Sequence, residues 1–260
     1  MSKKKAMFFN SKGGGGFTAE YEAILSAGAA YTLPTAEQQS VQNQIIVDMK
    51  ADGLWDTTDA MWHFKGSGDV DFKTINWKNP TGAKAFEVGT GALTWSSTGV
   101  LGDDVNYIDL AWNPTDDGTN YLQNDFSIAF DIITNYTIDG ALLSMDAIGN
   151  TRSATFNMGS AIQYFHSTSN SARSFTSITG AGFYVMDFLT DTSYASKDGG
   201  ASFDTEGSKI TDSFPSIDGK LLGIGSSGRG DMEIGSVIMG GSLDGSTTNY
   251  TNLYNAINGL

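Results

Sequence analysis

The chain has 260 residues and sets 29 Asp and Glu against 15 Lys and Arg, a formal net charge of -14. So acidic a sequence is ill suited to gripping phosphates, which argues against nucleic-acid binding. With no Cys, disulfides, thiolate chemistry and Cys-based zinc sites are excluded. No apolar run approaches the ~18 residues of a membrane span, so no membrane insertion is expected. The stretch after Lys3, Lys4 and Lys5 is shorter than the ~7–15 apolar residues of a signal peptide, and no Sec export is expected. Thirty-two Gly, and 23 Asp beside six Glu, point to a turn-rich β protein, because Asp favours turns where Glu favours helices.

Residues 1–16 end in Gly13, Gly14, Gly15 and Gly16 and read as a flexible or anchoring arm, with Phe8 and Phe9 as its docking side chains. No Gly-Lys-Ser/Thr follows the glycines, so they form no phosphate loop. Two helices come next, over 17–59. Thr18 caps the first, with Tyr21, Ile24 and Leu25 on one face and Gly28 near its end. The second begins with a capping box, Thr35 and Gln38, and carries a stripe of Val41, Ile45 and Met49 widened by Ile46 before Gly53 stops it.

From residue 60 the period changes to two. Asp125 to Ile132 alternates as a half-buried strand. Asp139-Gly140 predicts a hairpin turn, and Asp198-Gly199-Gly200 and Asp218-Gly219 repeat the device. A last strand runs from Met232 to Met239. Beyond it Thr248 is placed to cap a short helix with Tyr250, Leu253, Tyr254 and Ile257 on one face. Strands at this spacing predict an antiparallel two-sheet sandwich over 60–260, closed by a C-terminal helix.

Several stretches together carry a family likeness. They are Gly28 with Tyr31 to Gln39, Val47 to Trp55, Asp71 to Lys78, Tyr107 to Asp109 with Trp112-Asn113-Pro114 and Gly118, Asn120-Tyr121 and Gln123-Asn124-Asp125, Ile238-Met239-Gly240, and Leu253 to Asn258. Over roughly residues 18–260 the chain resembles the concanavalin A-like (laminin G-like) jelly-roll modules in virion proteins of tailed bacteriophages, notably those of Bacteroidetes hosts. The resemblance implies a jelly roll with the helical pair as an attachment. It also implies a structural protein on the particle surface, of capsid-decoration or head-fibre type, made in the host cytoplasm and assembled with other virion proteins. A lectin-like fold of this kind suits weak glycan adhesion, which gains from multivalency, so a homo-oligomer is expected, a trimer by choice. The alternative is a tail or fibre module recognising a host surface glycan. A cellular laminin G-like adhesin stands third.

Chemistry is sparse. A retaining hydrolase needs two carboxyl groups about 5–5.5 Å apart. The adjacent pair Glu20 and Glu22 falls on a helix, where residues two apart diverge, so no enzyme is expected. Gly223 to Gly228 matches a dinucleotide fingerprint without a βαβ context. Asn113, Asp116, Asp117 and Asn120 gather oxygen ligands in one loop and make Ca²⁺ the candidate cofactor, while Asp-Gly turns need Asp for the turn itself. Glycan contact calls for an aromatic face with polar flanks, and Trp95, Tyr121, Tyr164 and His166 are the candidates, whereas Trp55 and Trp77 are assigned to packing.

Overall fold

The computed structural model describes residues 16–103, 105–122, 125–134, 140–147, 151–158, 162–166, 171–175, 180–189, 192–200, 202–207, 218–222 and 232–259. The protein is mainly β, with two antiparallel sheets and short helices near both ends. The helices are α1 (Ala19–Ala27), α2 (Ala36–Ala51), α3 (Leu54–Thr57), α4 (Val70–Lys73) and α5 (Thr247–Asn258).

The larger sheet is built from β1 (Thr58–His63), β3 (Thr94–Trp95), β4 (Val100–Leu101), β6 (Asp125–Ile132), β11 (Gly182–Leu189), β12 (Thr192–Lys197), β13 (Ser202–Gly207) and β15 (Glu233–Gly240). Its order is β13-β12-β11-β6-β15-β4-β3, with β1 also paired to β15. The second sheet holds β2 (Phe86–Val88), β5 (Tyr107–Asp109), β7 (Gly140–Ala147), β8 (Thr151–Met158), β9 (Ile162–His166), β10 (Ser171–Phe175) and β14 (Lys220–Leu221), in the order β10-β9-β8-β7-β14-β5-β2.

Period-two alternation gives each central strand of the larger sheet two apolar faces. Trp62, Phe126, Phe130, Tyr184, Met186 and Val237 point into the core between the sheets. Met61, Ala129, Phe183, Val185 and Ile238 point the other way and meet Tyr21, Ile45, Ile46, Met49, Tyr250, Leu253 and Ile257 from α1, α2 and α5. The helices therefore roof the outer face of the sandwich as a third layer. Each large apolar side chain so buried stabilises the fold by roughly 1.5–3 kcal/mol.

This third layer corrects two expectations. β6 has the expected bounds but is buried on both faces from Phe126 to Ile132. Its outward polar side chains are accommodated individually: Ser127 Oγ donates to Gly241 O (2.8 Å), and Asp131 pairs with Lys65. On α2 the capping box forms as expected, yet Val41 is exposed and Gln42 turns inward, its Oε1 accepting from Tyr21 Oη at 2.7 Å. At the C-terminus the cap of α5 is Ser246, whose hydroxyl accepts from Asn249 N, rather than Thr248. The turn at Asp198-Gly199-Gly200 forms with all three residues at positive φ. Asp139 and the 223–228 glycine stretch lie outside the described residues, as does the arm up to Gly15.

Candidate functional site

The loop after β5 is where the sequence concentrates oxygen ligands, and local bonds already organise it. Asp116 N donates to Asn113 Oδ1 (2.8 Å), while Asn113 Nδ2 donates to Asp116 Oδ2 (3.1 Å). Asn113 N donates to Asp117 Oδ2 (2.9 Å), and Asp117 N returns to Asn113 O (3.0 Å). These are side-chain-stabilised turn bonds of the kind Asn and Asp favour. Asp218, 105 residues away, joins by accepting from Asn113 Nδ2 at 3.4 Å. Burial holds the nearby Asp109 carboxyl above the usual carboxylate range; the Asp218 charge adds to this, and the bond from Ala111 N works against it.

Asn120, the fourth candidate ligand, is drawn elsewhere. Its Nδ2 donates to Asp59 Oδ1 (2.9 Å) and to Asp56 O (3.1 Å). Asp59 Oδ2 also accepts three successive backbone N–H groups, from Thr119 (2.9 Å), Asn120 (2.7 Å) and Tyr121 (2.7 Å). One carboxylate thus does for this loop what a bound anion does in a backbone nest. Calcium needs six to eight oxygen ligands. Here the amide nitrogen of Asn113 sits between two carboxylates, Asn120 faces away, and no three Asp, Glu or His side chains among the described residues converge as metal ligands. As arranged, the loop is a self-bonded turn.

The aromatic candidates separate as well. Tyr121 is 1% exposed, edge-on to Trp112 (5.7 Å) and tilted against Phe126 (4.6 Å), so it belongs to the core and offers no face to a sugar. Trp95 is half-buried on the edge strand β3 and lies edge-on to Phe64 at 5.7 Å. Its indole N–H donates to Glu87 Oε1, and Glu87 Oε2 accepts from Leu93 N (3.0 Å). This bond ties β2 of one sheet to β3 of the other while leaving part of the Trp95 ring accessible. Tyr164 and His166 lie two residues apart on β9, opposite Arg173 and Ser171 of β10; their side chains lie outside the described part. Of the arm residues, Phe8, Phe9, Gly13, Gly14 and Gly15 also lie outside it, and Gly16 is the first residue described. Trp55 and Trp77 are buried among the helices, as the sequence suggests.

A buried carboxylate that sequence reasoning did not single out fastens the C-terminal helix. Asp187 on β11 is fully buried and accepts from Leu243 N (3.0 Å), Gly245 N (2.9 Å) and Tyr250 Oη (2.7 Å). Burial raises its pKa, and these hydrogen bonds pull it back down. Asp59 and Asp187 both act on partners about 60 residues away, which no local motif could reveal.

No family model matches the sequence, and no curated protein does. Among solved structures, domain 4 of AbnA, a GH43 extracellular arabinanase from Geobacillus stearothermophilus solved in complex with arabinotriose, has a TM-score of 0.53 at 11% identity. That match covers 76% of this chain and 98% of the domain. A mutant Trypanosoma rangeli sialidase displaying trans-sialidase activity has a TM-score of 0.54 at 9% identity over 85% of this chain. The botulinum neurotoxin serotype D binding domain has 0.52 at 10% over 78%. The chain spans 40% of the sialidase and 52% of the toxin domain. These likenesses show the fold, a jelly-roll-like antiparallel β-sandwich.

Proposed function

We propose that the protein is a lectin-like structural component of a tailed-phage particle, displayed on its surface as a capsid decoration or head fibre, which adheres weakly to glycans without cleaving them. The observation that carries the adhesion reading is the sandwich itself, which matches nearly the whole of a domain solved with arabinotriose. The sequence resemblance over roughly residues 18–260 supports the virion context. The carboxylates support a non-catalytic role. Glu20 pairs with Lys50, Glu87 holds Trp95, and Glu233 accepts from Ser96 Oγ (2.7 Å) and Thr98 Oγ1 (2.5 Å), so each of these acids serves the fold.

Trp95 is the aromatic to test. It keeps an accessible ring beside a fixed carboxylate, the pairing of apolar face and polar flank that a pyranose needs. Glycan retention on an array should be saturable and lost in Trp95→Ala, with no sugar released. In parallel, antibody labelling of purified particles read by electron microscopy, with copy number from mass spectrometry, tests the location. High-copy label over the head supports decoration; low-copy label at the tail tip replaces this reading with a receptor-binding one. Absence from particles overturns the virion assignment.

A further inference from the structure

A cavity of about 310 Å³ opens where α2, the end of β1 and the last turn of α5 meet. This is at the lower end of the volumes of small-molecule sites. Two deeply buried polar side chains face it, Gln42 (3% exposed) and His63 (6% exposed). The Gln42 oxygen is held by Tyr21 Oη. The Gln38 oxygen is held by the backbone N–H groups of Ser67 (2.9 Å) and Thr35 (3.3 Å). The Gln42 amide nitrogen is therefore turned toward Gly66 on the cavity wall, and the Gln38 amide lies beside it. A methyl group added at Gly66 would lie 3.4 Å from Gln42 Nε2 and 3.8 Å from Gln38 Nε2. Among the described residues neither nitrogen has a hydrogen-bond partner.

Cationic groups stand at the cavity although the chain carries a net charge of -14. No Asp or Glu lines it, and Lys65, its one lysine, uses the carboxylate of Asp131 for one of three donors. Lys73 stands close enough to act on His63 electrostatically, its ammonium donating to Ser96 O at 2.6 Å. The first turn of α2 adds the positive end of a helix dipole and the last turn of α5 the negative end, so these offset. The remaining wall is apolar, from Val41, Ile45 and Ile257.

We propose that this cavity binds a small carboxylic acid of monosaccharide size. Its carboxylate would accept from Gln38 Nε2, Gln42 Nε2 and the free donors of Lys65, which is charge-assisted bonding, and its ring would rest on the apolar wall. A uronic acid fits this description, free or as a residue of an acidic glycan. The site is separate from Trp95 and is independent of whether particles carry the protein.

The test uses the full chain titrated with D-glucuronate and with D-glucose, followed by calorimetry and by the amide signals of Gly66, Gln38 and Gln42. Glucuronate should bind saturably and shift these signals, with glucose at least about tenfold weaker. Gln38→Glu keeps the capping box but sets a carboxylate against the ligand, and should weaken glucuronate about tenfold or more. Val41→Trp, at an exposed helix position on the rim, should fill the cavity and abolish binding. A glucuronate-containing oligosaccharide that binds as tightly as the free acid assigns the ligand to glycans, and one that fails assigns it to the free acid. No saturable glucuronate binding, equal binding of glucose, or unchanged binding in both variants overturns the proposal.

Discussion

Asp59 stands among the helices and β1 in sequence yet sets the shape of a loop sixty residues on, by accepting three consecutive backbone amides and the Asn120 side chain. Replacing it by Ala strands those donors, and each unsatisfied group costs about 1–3 kcal/mol where water cannot reach it. Partial exposure of the loop tempers the sum, so Asp59→Ala should destabilise by about 2–4 kcal/mol, read from urea denaturation. Asp59→Asn should fall between, because one acceptor oxygen survives.

His63 gives a second residue-scale expectation, in pH. Burial and then the charges of Lys65 and Lys73 lower its pKa to about 3. Its Nδ1 lies 2.9 Å from Ser236 Oγ, and its ring leans on Trp77 at 5.2 Å. A folded-state pKa below the unfolded value means that the unfolded chain binds the proton first. This contribution to stability is therefore full above about pH 6.5 and is lost as pH falls toward 3, by up to about 1.4 kcal/mol per pH unit. Asp187 acts in the opposite sense. Its raised folded-state pKa makes its ionised form costly, so stability is gained as pH falls through that pKa. The clean readout is therefore a difference. His63→Asn, which keeps a partner for Ser236, should flatten the decline of the urea midpoint between pH 6.5 and 4 relative to the unmutated protein. Parallel slopes would show that His63 is already protonated in the fold.

At the scale of elements, the junction of β1 with β15 joins the helical segment to the sandwich. Thr58 pairs with Gly240 at a bulge, and a Cβ on Gly240 would lie 2.3 Å from Thr57 O and 2.8 Å from Thr58 Cα. Both obstacles are backbone and cannot swing aside. Gly240→Ala should cost about 1–3 kcal/mol and lower the melting temperature without changing the helix signal in circular dichroism. What the sequence disclosed follows the same divide between local and distant. The caps of α1 and α2 and the bounds of β6 depend on residues within a few positions and were legible, whereas Asn113, Asp116 and Asp117 were read as candidate metal ligands and their mutual bonding was not. The double burial of β6 was not, because the helices that cover its outer face lie elsewhere in the chain. Val41 satisfied the helical stripe, but the packing of α1 brings Tyr21 Oη to Gln42 and rotates the buried face toward it. Trp95 and Tyr121 are alike in residue type, and only tertiary placement separates an edge-strand ring from a core ring.

At the scale of the whole molecule, three layers share one requirement: the helices must cover the outer face of the larger sheet. Phe17 packs on Tyr21 at 5.1 Å, and Thr18 both caps α1 and donates its N–H to Asn43 Oδ1 at 2.8 Å, so among the described residues the packing is already in place at Phe17. Removing residues 1–16 should then leave the melting temperature within about 2 °C, since no described core contact is lost and surface changes are usually worth under ~0.5 kcal/mol. If Phe8, Phe9 and the glycine run are the anchor, the same deletion should abolish incorporation into particles, measured as copy number by mass spectrometry. Full incorporation of a folded deletion protein removes the arm from that role. The anchoring surface must then be sought on the helices, where Val47 of α2 is exposed.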